Sequence, residues 1–202
     1  MSLSKYDANI DVLSSSHGLE FRNLPYHVKT AFCGSGFKFR PKVIGRSGLK
    51  ISDSIVDEFS SKAISHYPNP YILFVLLGDN NMRPNRKNAE DCFETLEFFE
   101  RLIKNFSNFS HCKLVISSII PSPLTDGVSK DIFKRTNTIL NSMIKEEENR
   151  VSFMNITNMF VFQGKVRREF FMKDKIHFNS CGAKLVANCI AEHVRKLPSR
   201  LN

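Results

Sequence analysis

Three short motifs carry residue types that could do chemistry together. An apolar stretch runs into Ser14-Ser15-Ser16-His17-Gly18, a second into Gly78-Asp79-Asn80-Asn81, and near the carboxyl end stands Asp174-Lys175-Ile176-His177. Ester hydrolysis at a serine needs a nucleophile, a base within hydrogen-bonding reach, an acid to orient that base, and donors for the oxyanion. Asp-x-x-His suits the acid and the base, since one turn of chain entering a helix brings carboxylate and imidazole together. Each motif also has a plain structural reading. Gly-Asp-Asn-Asn after a strand is ordinary turn and cap chemistry, and a lone histidine is most often a surface residue.

These motifs need elements to hold them. Residues 10–16 read as a first strand, and residues 37–44 as a second, closing at Gly45-Arg46-Ser47-Gly48. Ser52 or Asp53 can cap a helix whose Ile55, Val56, Phe59, Ala63 and Ile64 fall at helical spacing. Residues 71–77, unbroken Tyr-Ile-Leu-Phe-Val-Leu-Leu, predict a strand buried on both faces. A helix starting at Asn88 carries Cys92, Leu96, Phe99, Ile103 and Phe106 on one stripe, and residues 113–120 form another buried strand. Residues 129–148 are helical, 151–156 a fifth strand, 164–175 a basic loop, and 180–196 the last helix. Strands alternating with helices predict an α/β fold: three layers, α/β/α, around a five-stranded, mainly parallel sheet in one domain. In such sheets ligands gather at the carboxyl ends of the strands, so the three motifs are expected on one edge.

In this order, on this class of fold, the motifs resemble the SGNH (GDSL-type) hydrolase superfamily, with a flavodoxin-like arrangement. The resemblance covers nearly the whole chain. It implies Ser16 as nucleophile, Gly48 and Asn80 as oxyanion donors, and Asp174 and His177 as the rest of a triad. Ser14 and Ser15 stand where the family has Gly-Asp, and Asn81 replaces its usual Asp. On that ground the five positions are expected to be vestigial and the chain not an enzyme but a pseudo-hydrolase. An active serine esterase is the alternative.

Charge points in a second direction. The net charge is +9, and it sits at the two ends. Residues 1–50 hold eight Lys/Arg against three Asp/Glu, net +5; residues 165–202 hold nine against three, net +6; the stretch between is net −2. Clustered positive charge attracts polyanions. Lys38, Arg40, Lys42, Arg46 and Lys50 form one group, Arg83 another, Lys165, Arg167 and Arg168 a third, and Arg195 and Lys196 a fourth. Such residues would neutralise RNA phosphates, and Phe170 or Phe171 could stack on bases, although core packing is the ordinary fate of phenylalanine. With the altered serine block, this basic character resembles the RNA-binding SGNH-like domain of the Oskar family of insect germ-plasm proteins. That resemblance implies messenger RNA (3′ untranslated regions included) and germ-granule proteins as partners, and a cytoplasmic place in germ-plasm granules. A basic protein-interaction module is a further alternative. No cofactor, metal or membrane partner is expected: the five cysteines show no metal spacing, and no apolar run is long enough to span a bilayer.

Overall fold

The computed structural model describes residues 9–14, 23–32, 40–45, 49–67, 69–82, 90–125, 127–145 and 150–196. Five parallel strands, β1 (Asn9–Ser14), β2 (Arg40–Gly45), β3 (Tyr71–Leu76), β4 (Cys112–Ser117) and β5 (Val151–Met154), form one sheet in the order β2-β1-β3-β4-β5. Helices α1 (Asn23–Phe32), α2 (Asp53–Ser65), α3 (Glu90–Ser107), α4 (Gly127–Lys145) and α6 (Ser180–Lys196) flank it. Between β5 and α6 lie a short helix, α5 (Thr157–Phe160), a two-stranded hairpin, β6 (Val161–Phe162) and β7 (Lys165–Val166), and a 3-10 turn at Arg168–Phe170.

The pleat sorts each strand's apolar residues onto two cores. Leu13, Leu73, Val75, Leu114 and Ile116 face α2, α3 and α4, with Phe59, Phe99 and Phe106 fully buried there. Ile10, Val12, Ile72, Phe74 and Val115 face α6 and Val28 of α1, together with Phe160 and Phe171. Because both faces are covered, the central strand β3 can be wholly apolar. β2 is an edge strand, where Pro41 is tolerated because one side of the strand needs no ladder donor.

The α/β expectation is met, with two additions. Helix α1 and the β6–β7 hairpin occupy stretches that sequence patterning leaves as loop. The carboxyl ends of the strands are aligned: Ser14 pairs with Gly45 and Leu76, and Ser117 with Met154. The segments that follow β1, β2 and β3 therefore leave the sheet along one edge.

Candidate active site

Asp174 and His177 are side by side. Phe171 and Phe178 form an antiparallel bridge, and Met172 N–H donates to the His177 carbonyl at 2.7 Å, so residues 171–178 close into a tight loop. Lys175 turns it, with φ of 60°. Inside the loop one carboxylate oxygen of Asp174 accepts from the backbone N–H of Ile176 (2.9 Å) and of His177 (3.0 Å), and the other accepts from His177 Nδ1. That bond places the ring proton on Nδ1 and the lone pair on Nε2, which is shielded from solvent. Partial burial alone would raise the Asp174 carboxyl. The two backbone N–H groups and the His177 ring outweigh it and hold the carboxyl below the usual range.

The loop is seated from below by aromatic packing and from its end by a helix cap. Phe160 meets Phe170, Phe171 and Phe178 at centroid distances of 5.4, 6.0 and 4.8 Å. Asn179 Oδ1 accepts from Gly182 N–H (3.1 Å), capping α6, while its Nδ2 donates to the carbonyls of Glu169 and Phe171. Gly182 permits this approach: a Cβ there would sit 2.3 Å from the Phe170 carbonyl oxygen. Sequence reading passed over Asn179, although a cap residue directly before an apolar helical run is a legible signal. At the start of α6, Ser180 Oγ lies 3.2 Å from His27 Nε2 of α1, the helix that follows β1 and its serine block.

Asn80 is buried and donates through Nδ2 to the Leu49 carbonyl at 3.1 Å, so it stands against the residue that directly follows Gly48. Asn81 clamps the same segment in both directions, accepting from Ile51 N–H (3.0 Å) and donating to the Ile51 carbonyl (3.1 Å). An aspartate could only accept here. The Asn at this position, counted above as a departure, is explained by that two-way clamp. Gly78 begins the turn at φ 111°, and a Cβ on it would lie 2.6 Å from Ile119 Cδ1.

Ser16 and Gly48 lie outside the described residues, as do Lys38, Arg46, Arg83 and the side chain of Arg40. Ser14 is the last residue of β1 and is buried. Among the basic residues, Lys42 is exposed on the edge strand, Lys50 is half-buried after β2, and Lys165 and Arg168 are exposed. Arg167 is engaged: its Nε donates to Glu169 at 2.7 Å and its guanidinium stacks on Phe170. Arg195 and Lys196 do not join the site. They end α6, about 24 Å of helix away from Ser180, and Arg195 donates to the Ala31 carbonyl at 3.0 Å. Phe171 is buried and Phe170 packs on Phe160, which removes both as base-stacking candidates.

Comparison with solved structures resolves the family of folds. An acetyl-xylooligosaccharide esterase, Axe2, from Geobacillus stearothermophilus superposes with a TM-score of 0.70 at 11% identity, covering 99% of this chain and 100% of that one. The fold is that of the SGNH hydrolases. The esterase EstA from a Pseudoalteromonas species, determined with monoethylphosphonate as inhibitor, gives 0.68 at 14% identity over 94% and 98% of the two chains. A member of the lipolytic G-D-S-L family from Veillonella parvula gives 0.68 at 14% over 94% and 99%. The catalytic mutants of Axe2 replace a serine near its amino terminus, and an aspartate and a histidine three residues apart. No protein-family model matches the chain, and no curated protein matches it.

The expectation of a non-enzyme is corrected here. Solved structures that this fold matches include the esterases Axe2 and EstA and a member of the lipolytic G-D-S-L family, which points toward an enzyme. Of the departures behind the vestigial expectation, Asn81 has a structural reason of its own. Among the described residues no helix is long and apolar enough to cross a membrane.

Proposed function

We propose that the chain is a serine ester hydrolase with Ser16 as nucleophile. The observation that carries this reading is the Asp174–His177 pair, in which Nδ1 is tied to the carboxylate and Nε2 is left as the basic nitrogen. The same Asp-x-x-His spacing belongs to the catalytic aspartate and histidine of Axe2. In this account the Ser16 Oγ–H bond breaks as Oγ bonds to the ester carbonyl carbon, and the proton passes to His177 Nε2. The carbonyl oxygen becomes an oxyanion. Asn80 carries two N–H donors on Nδ2; one fixes the amide against Leu49, and the other is assigned to the oxyanion beside the Gly48 backbone N–H. Collapse expels the alkoxide, which takes the proton from His177. Water then attacks the acyl-serine by the same route, with His177 again the base, releasing the carboxylic acid and restoring Ser16.

The test is hydrolysis of p-nitrophenyl acetate by the wild type, Ser16→Ala and His177→Ala. Each substitution should lower kcat by about 10³-fold or more with folding unchanged. Turnover that survives Ser16→Ala would reject this nucleophile.

A second reading rests on a separate surface. Lys42 is exposed on edge strand β2, and Arg195 and Lys196 are exposed at the far end of α6. With the net charge of +9, these residues suit a polyanion such as single-stranded RNA, held by phosphate contacts with little base readout. The messenger-RNA and germ-granule roles implied by the Oskar-type resemblance attach to this reading and rest on the resemblance alone. Fluorescence anisotropy with an RNA oligonucleotide should show affinity falling steeply with salt and weakened by Lys42→Glu with Arg195→Glu. Absence of binding at low salt would remove it.

A further inference from the structure

The β6–β7 hairpin has two unlike faces. Val161 pairs with Val166 and Phe162 with Lys165, around a turn whose two residues, Gln163 (φ 48°) and Gly164 (φ 71°), are both left-handed. The pleat sends the two pairs to opposite sides. Val161 and Val166 line a cavity of about 590 Å³ between the hairpin and α4, so the inner face is turned toward the protein and is half-buried. Phe162, 64% exposed, and Lys165 face outward. Met159, in the turn of α5 just before the hairpin, is 44% exposed. Arg168, Lys173 and Lys175 follow, all exposed. The acids of this stretch are engaged, Glu169 with Arg167 and Asp174 with His177. Phe162 thus shares the outer face of the hairpin with Lys165, and further exposed basic residues follow in the chain, none of them in an ion pair among the described residues.

We propose that this hairpin docks the protein onto an anionic lipid surface. Phe162 and Met159 would enter the boundary between headgroups and acyl chains, while Lys165 and Arg168 meet the lipid phosphates. Two features favour lipid over nucleic acid. Single-stranded nucleic acid is held in grooves with flat stacking platforms, whereas Phe162 is an exposed side chain beside the turn of a hairpin. Its apolar companion is Met159, a flexible chain that inserts into acyl groups and offers no ring to a base. The expectation of no membrane partner rested on the absence of a spanning segment, and surface docking requires none. Asp174 and His177 follow in the same stretch of chain. The inference itself does not depend on the hydrolase reading.

The experiment is co-sedimentation with vesicles of phosphatidylcholine alone and of equal parts phosphatidylcholine and phosphatidylserine. The wild type should bind the anionic vesicles, release them as salt rises and ignore the neutral ones. Phe162→Asp should lower the partition coefficient about tenfold or more. Lys165→Glu with Arg168→Glu should lower it at least about fivefold per residue. These positions are exposed, so thermal melting should be unchanged. Ser16→Ala should bind like the wild type, which separates this result from the fate of the catalytic reading. Equal binding to both vesicles, no binding to either, or an unaltered partition for Phe162→Asp would overturn the proposal. So would capture of an oligouridine RNA through these residues with vesicles left unbound.

Discussion

Asp174 accepts three hydrogen bonds from its own loop, two from backbone N–H groups and one from the ring it orients. Asp174→Asn keeps the size but removes the charge and disturbs the tautomer, and kcat should fall by about 10³–10⁴-fold while KM changes little. The same residue sets an acid limit on stability. Its folded carboxyl lies below the unfolded value of about 3.9. Its contribution is therefore complete above that value and is lost as pH falls through the folded one. Thermal melting against pH should show this acid limb in the wild type and a shallower one in Asp174→Asn. Asn81→Asp should cost about 1–3 kcal/mol in urea unfolding, since the buried Ile51 carbonyl loses its donor. Much at this scale was legible. Asp174 and His177 are three residues apart, so their contact follows from local geometry. Asn81 meets Ile51 across 30 residues, and no local pattern announces such a pair.

Helix α6 begins where the dyad loop ends, and the contact between them has almost no slack. A methyl group at Gly182 would have to displace the Phe170 carbonyl or the helix. Gly182→Ala should destabilise by about 1–3 kcal/mol and lower kcat without altering any residue of the dyad, as steady-state kinetics and denaturation together would show. Sequence patterning found all five strands of the main sheet and helices α2, α3, α4 and α6, whose apolar signals are long enough to register. Helix α1 escaped because Pro25 stands near its start, and Val28 is its buried residue in the described core. The hairpin escaped because each of its strands has two residues, too few for an alternation to register.

Over the whole molecule, the sheet separates two cores, and the candidate site stands on one of them. Phe59 belongs to the core shared with α2, α3 and α4, and Phe160 to the core under the dyad loop. Either change to Ala should cost about 3–5 kcal/mol. Only Phe160→Ala should also lower kcat well below its melting temperature, because Phe160 carries Phe170, Phe171 and Phe178. Net charge was legible in the sequence, but its disposition was not. Arg195 and Lys196 belong to the same basic end segment as Asp174 and His177, and the length of α6 puts them at its far end. Composition likewise gave no reason to single out Phe162, whose exposure follows from a turn that seats its neighbours inward.

The most direct test of the catalytic account is covalent labelling with a fluorophosphonate, followed by intact mass spectrometry of the wild type, Ser16→Ala and His177→Ala. A serine activated through His177 should take up one phosphonate per chain at Ser16, react far more slowly in His177→Ala, and not react in Ser16→Ala. A wild type that stays unlabelled at high probe concentration, or a Ser16→Ala protein that labels equally fast, would contradict it.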